Sequence, residues 1–160
     1  MTGGGSSIPE VQRLLATLAV GRRCAEAGTA FGEGAVAIAS TAVSLVTVES
    51  DASRASAARD RLAQLDNVEL IHGDWREELP PRGPFELFFL DGGGYKQHPG
   101  ALGPTAVGLL ERGGVLVIDD LTPANAAHDP ARAFLLEHPD LMATEIMTRP
   151  DAAAILAVHR

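Results

Sequence analysis

The sequence has 160 residues, 46% of them hydrophobic, 21% charged and only 4% aromatic. This is the composition of one globular domain with an aliphatic, alanine-rich core, and it excludes a disordered chain. Thirteen Lys and Arg against twenty-one Asp and Glu leave a formal charge of −8, which argues against nucleic acid and against an anionic membrane as partners, since both require a basic face.

Cys24 is the only cysteine, so a disulfide within the chain and a cysteine-rich zinc site are excluded. No apolar run approaches the roughly 20 residues that span a bilayer. Met1 to Ser7 is Gly/Ser-rich, without the basic and apolar regions of a signal peptide. The expected organisation is a flexible stretch over 1–7 and a single domain over 8–160, in the cytoplasm.

Ile8-Pro9-Glu10 opens a helix, with Val11, Leu14, Leu15 and Leu18 at helical spacing and Gly21 stopping it. Strand and helix then alternate. Arg22 to Ala27 reads as a short strand, Glu33 to Thr41 as a small-residue helix and Val43 to Val48 as a β-branched strand. Asp51 to Leu65 reads as a helix and Val68 to His72 as a third strand. Phe85 to Leu90 is almost continuously apolar, as a strand buried on both faces is. Pro99 to Leu110 suits a helix, Gly113 to Ile118 a fifth strand and Pro130 to His138 a short helix. Leu141 to Met147 and Ala152 to Val158 are late strands separated by Thr148-Arg-Pro-Asp151, a turn too short for a crossover helix. The expected fold is α/β: a Rossmann-like, doubly wound sheet of about seven strands with helices on both faces. It is mostly parallel, with one antiparallel strand from the C-terminal hairpin at its end.

In such sheets ligands bind beyond the carboxyl ends of the strands, where strand order reverses. Those ends carry Glu26-Ala27-Gly28 leading to Gly32, then Glu49-Ser50, then Gly73-Asp74-Trp75, then Asp91 with Gly92 to Gly94, and finally Asp119-Asp120. A carboxylate therefore reaches the same edge from every strand of the parallel core. The Gly-rich turn departs from a dinucleotide fingerprint, because Ala30 and Glu33 stand where Gly would be, and Glu33 would repel a pyrophosphate at the helix start. The spacing suits a ligand without phosphates; a plain strand-to-helix turn is the alternative. Glu49, twenty-one residues after Gly28, is placed to accept both hydroxyls of a ribose, or else is a solvated acid before the next helix. Asp74 is placed to accept the amine of adenine. Trp75, the only tryptophan, either covers the ring or fills the core edge.

Taken together, Glu26-Ala-Gly28-Thr-Ala-Phe-Gly32, Val46-Thr-Val-Glu49, Gly73-Asp74, Phe85 to Asp91 and Leu110-Glu-Arg-Gly-Gly114 running into Asp119-Asp120 resemble the class I S-adenosylmethionine-dependent methyltransferases. The pattern is most similar to the small-molecule O-methyltransferases of the catechol and caffeoyl-CoA type, and it extends over nearly the whole chain. The resemblance implies S-adenosylmethionine as cofactor. Glu26, Ala27, Gly28 and Gly32 would shape the methionine end, Glu49 and Ser50 the ribose site, Gly73, Asp74 and Trp75 the adenine site, and Asp91 would face the methionine end. It further implies a divalent cation, Mg²⁺, Mn²⁺ or Ca²⁺, on Asp91, Asp119 and Asp120, an all-oxygen set suited to hard ions; capping of the following loop is the alternative. The acceptor would be a small hydroxylated molecule such as a diol or phenol.

The sequence departs from that pattern at the base. The family's Lys, three residues past the strand-four acid, is Gly94 here, and Lys96 and His98 are the candidates to replace it. The resemblance also implies further helices before the first strand; with one helix there, the acceptor side is expected to be open, or closed by the second chain of a homodimer. Two other readings accompany this one: a non-catalytic S-adenosylmethionine-binding or assembly protein, and an NAD-dependent oxidoreductase.

Overall fold

The computed structural model describes residues 7–92, 94–123, 125 and 129–160. Met1 to Ser6, most of the stretch expected to be flexible, lie outside the described residues, as does Gly93 of the glycine run. The elements are α1 (Pro9–Leu18), β1 (Arg23–Ala27), α2 (Glu33–Ala39), β2 (Ser44–Glu49), α3 (Ala52–Leu62), β3 (Val68–His72), α4 (Trp75–Glu78), β4 (Phe85–Leu90), α5 (Pro99–Gly108), β5 (Leu110–Leu121), α6 (Pro130–Glu137), β6 (Leu141–Arg149) and β7 (Ala152–His159).

Seven strands form one sheet in the order β3-β2-β1-β4-β5-β7-β6. β1 pairs in parallel with β2 and β4, β2 with β3 and β4 with β5, whereas β7 runs antiparallel to both β5 and β6. The hairpin therefore does not add its antiparallel strand at the sheet's end. The chain passes β5's neighbouring position, forms the edge with β6 and returns with β7 between them. The two residues Pro150 and Asp151 between the strands force that return.

Successive residues of a strand face opposite sides of the sheet, and here they feed two cores. Ala25, Phe88, Leu90, Leu116 and Ile118 pack with Trp75 and Leu79 after β3, with Ala106 of α5 and with Leu135 of α6. Cys24, Leu45, Leu87, Phe89, Val115 and Val117 pack with Val11 and Leu15 of α1, Ile38 of α2 and Leu62 of α3. Burial on both faces explains why β4 has no alternating pattern. Cys24 is a buried hydrophobe whose thiol is pushed up to about 12, chiefly by burial.

Strand order reverses between β1 and β4, so their carboxyl ends diverge at the centre of one sheet edge. Asp51 starts α3 by accepting the N–H groups of Ser53 and Arg54, each at 2.9 Å. Asp74 does the same for α4 through the N–H of Arg76 at 2.9 Å. Both caps turn the chain back over the sheet directly after the acid-bearing strand ends.

Candidate active site

A cavity of about 510 Å³ opens at this edge, a volume within the usual range for small-molecule sites. Its floor is the meeting of two backbones. Gly28 follows β1 at φ +97°, and a Cβ there would stand 3.0 Å from the nitrogen of Gly92 after β4. The N–H of Gly28 donates to the carbonyl of Val48 at 2.9 Å, and that of Asp91 to the carbonyl of Ala27 at 3.0 Å. Only a residue without a side chain permits this approach.

Glu49 ends β2 with 5% of its surface exposed and lines the cavity. One carboxylate oxygen accepts the N–H of Ala30 at 2.8 Å, the other that of Asp51 at 2.9 Å. Each oxygen keeps a further lone pair for a ligand hydroxyl. Ala30 reaches Glu49 by adopting φ +49°, a left-handed conformation that costs a non-glycine residue about 1 kcal/mol. The substitution of Ala for Gly at this point of the turn is thus held by the carboxylate opposite it.

Three residues expected at the methionine end do not line the cavity: Glu26, Ala27 and Gly32. The alternation of β1 turns Glu26 to the other face, under α2, where it is 1% exposed. There Thr47 Oγ1 donates to it at 2.5 Å, and Thr47 shares a 2.6 Å hydrogen bond with Thr29. Ala27 is buried in the opposite core. Gly32, at φ +90°, caps α2 against Arg61 and Leu62. A Cβ on Gly34 would stand 2.5 Å from Glu26 Oε1, so the carboxyl fills the space that this glycine leaves.

Burial pushes the Glu26 carboxyl up to about 8. The folded chain holds a proton there that the unfolded chain releases near 4.5. Stability conferred by this group is therefore lost as pH rises from about 4.5 to about 8 and is constant above. Glu26→Gln, neutral at every pH, is expected to flatten the fall of the melting temperature between these limits. An unchanged pH profile of thermal melting would contradict the assignment.

On the adenine side, Ser50, Gly73, Asp74 and Trp75 all line the cavity. Trp75 is 4% exposed and its ring lies 5.7 Å from that of Phe88, so it belongs to the core and to the cavity wall. Asp74 is paired with the guanidinium of Arg76, which holds its carboxyl below the ordinary range. His72 is exposed and contacts the carbonyl of Ser50 at 3.2 Å.

At the other end, Asp91, Asp119 and Asp120 each offer a carboxylate oxygen, all within 4.8 Å of one another. Asp120 adopts φ +59°, a conformation that Asp tolerates better than most residues. Asp119 is 2% exposed, and its Oδ1 has no hydrogen-bond partner among the described residues. Burial, then the neighbouring charges of Asp91 and Asp120, push Asp119 up to about 8; burial likewise raises Asp91. An orphaned buried oxygen in an all-oxygen donor set fits a hard divalent cation. Lys96 enters this cluster, with Nζ 3.0 Å from Asp91 Oδ1 and 3.8 Å from Asp120 Oδ2. His98 does not line the cavity; it is exposed at the start of α5.

A family model described as a methyltransferase domain matches residues 25–121. The chain belongs to this methyltransferase family. No curated protein sequence matches it. Among solved structures, this methyltransferase is similar to cofactor-bound Rv0187 from MTB, at 28% identity and a TM-score of 0.82, covering 97% of this chain and 82% of that one. It is also similar to the O-methyltransferase TomG from Streptomyces achromogenes in complex with SAM, at 27% identity and a TM-score of 0.78, over 98% and 82% of the two chains. The O-methyltransferase from Bacillus cereus in complex with SAH shares the fold, at 22% identity and a TM-score of 0.80, over 99% and 84%. The class I resemblance and the fold expected from the sequence are borne out.

Several lining residues escaped the sequence reading, among them Arg54, Arg76, Tyr95 and Gln97. A compositional signal was available. The only Trp and the only Tyr of the chain, and Lys96, its only lysine, all line this one cavity.

Proposed function

We propose that this methyltransferase binds S-adenosylmethionine in the cavity at the β1–β4 divide and directs its methyl group to an oxygen of a small hydroxylated acceptor, a diol or a phenol. One observation carries the reading: Glu49, buried and held by two backbone N–H groups, faces a cavity floored by the backbone contact of Gly28 and Gly92. TomG, an O-methyltransferase solved with SAM, and cofactor-bound Rv0187 support it.

S-adenosylmethionine supplies an electrophilic methyl group when bound. Glu49 accepts the ribose hydroxyls, its carboxylate already oriented so that no reorganisation is needed on binding. Gly28 and Gly92 let the methionine end lie against backbone. Trp75 presents an apolar face to the adenine, and Asp74 keeps lone pairs free beyond its contact with Arg76. Asp91, Asp119 and Asp120 are the residues that would hold Mg²⁺, Mn²⁺ or Ca²⁺, which would acidify a coordinated acceptor hydroxyl. Of the two basic candidates Lys96 alone reaches this end, where its amine would take the proton that the acceptor hydroxyl loses as the methyl passes from sulfur to oxygen. No helix of the described residues is long and apolar enough to cross a membrane. The acidic charge favours a small-molecule acceptor over a nucleic-acid or anionic membrane partner, and a cytoplasmic location is part of the same proposal. Where the acceptor side needs a wall, a second copy in a homodimer supplies it.

The test is transfer from S-adenosylmethionine carrying a deuterated methyl group to a panel of catechols and aliphatic diols, read by mass spectrometry. A labelled methyl on oxygen is the expected product. A label found only on nitrogen or carbon would remove the O-directed reading.

A further inference from the structure

We propose that Lys96 is the resident cation of the Asp91–Asp119–Asp120 pocket, and that its ammonium and a divalent metal ion occupy that pocket in mutual exclusion. The inference rests on the metal-assisted reading of this site and deepens it.

The chain meets its need for positive charge with arginine everywhere except here, for Lys96 is its one lysine. Lysine ends in a compact point charge on a flexible stem, whereas arginine presents a broad planar fork. Only the former matches a pocket in which three carboxylate oxygens converge within 4.8 Å. Lys96 Nζ stands 3.0 Å from Asp91 and 3.8 Å from Asp120, within the cluster that a hard cation would use. A divalent ion must approach these oxygens to about 2.0–2.6 Å, which places it in the space that the ammonium holds or against it. Two cations packed into one such pocket repel, and a divalent ion answers more of the cluster's charge than the ammonium does. Asp119 Oδ1, buried and without a partner among the described residues, is the contact that the ammonium leaves unmade.

The exchange needs little movement of the chain. The neighbouring Tyr95 is 1% exposed and packs edge-on against Phe134 at 6.4 Å between ring centroids. That contact fixes the loop, so the ammonium leaves by rotation of its own side chain. Lys96 is one-quarter exposed and has the cavity to rotate into.

Mn²⁺ titrated into the full chain by calorimetry tests this, with K96M, K96Q and D119N compared after thermal melting has shown each to be folded. Both Lys96 variants are expected to bind Mn²⁺ about tenfold more tightly than the wild type, the scale of one close charge pair. D119N is expected to lose binding. A second readout exploits the single lysine: with ¹³C-lysine incorporated, one ε-methylene signal reports Lys96 alone, and Ca²⁺ should shift it in the wild type but not in D119N. Equal Mn²⁺ affinity with and without the lysine, or an unmoved lysine signal while metal binds, would overturn the exclusion and leave the metal-assisted reading standing. Absence of Mn²⁺ binding in the wild type and in both Lys96 variants would overturn the two together.

Discussion

Replacing Glu49 by alanine is expected to weaken S-adenosylhomocysteine binding by about a hundredfold or more, because two charge-assisted hydrogen bonds to the ribose, each about 1.5–3 kcal/mol, are lost together. The loss also has an indirect part. Glu49 accepts the N–H groups of Ala30 and Asp51 at 2.8 and 2.9 Å, so its removal frees the turn after β1 and the start of α3. Glu49→Gln separates these contributions. It keeps the side-chain shape but places an amide donor where one acceptor stood, and should recover only part of the affinity. Calorimetric titration of the three proteins, with urea unfolding to confirm that each is folded, makes the comparison. Affinity unchanged in Glu49→Ala would take this residue out of the ribose site.

Arg132→Met is expected to destabilise the fold by about 3–5 kcal/mol, the cost of removing one partner from a buried ionic network. Arg132 is 5% exposed. Its guanidinium donates to Asp129 at 3.1 Å, to Glu145 on β6 at 2.6 Å, and to the carbonyl of Thr122. Asp129 in turn accepts the N–H of Thr122 at 2.7 Å. One side chain thus joins the chain just beyond Asp119-Asp120 to the start of α6 and to the edge strand. Methionine occupies a similar volume but cannot answer the carboxylates that remain. Urea unfolding measures the change, and a loss below about 1 kcal/mol would place this network among weak surface ion pairs. Arg23, exposed, and Glu111, half-buried, form such a surface pair, and Arg23→Ala should leave the unfolding midpoint nearly unchanged.

The reach of the sequence reading varied with how locally each feature is encoded. β4 was legible because an apolar run of its length has few alternatives, and α1 because proline and the spacing of Val11 and Leu15 coincide. α4 was not foreseen, for Trp75 to Glu78 is too short to display helical periodicity. β5 begins at Leu110 rather than Gly113, because Leu110, expected at the end of a helix, pairs with Phe85 and so joins the sheet. The place of β7 between β5 and β6 depends on pairing between distant segments, and no local pattern specifies it.

The same division holds at the site. Residues placed at or just past a strand end, Gly28, Glu49, Asp74 and Asp91, line the cavity as spacing suggested. Glu26 and Ala27 lie within the strand, where alternation directs their side chains into the two cores, and Gly32 lies beyond the turn. Lys96 and His98 looked equivalent on one loop; the start of α5 separates them, since it exposes His98 while the buried ring of Tyr95 fixes the loop beside Lys96.

The most direct measurement is calorimetric titration of the wild-type chain with S-adenosylhomocysteine. One saturable site per chain is the predicted result, filled by the ligand in the cavity between Gly28, Glu49 and Trp75. A flat trace from protein that melts cooperatively would contradict it, and the acids gathered at this sheet edge would then serve some other ligand.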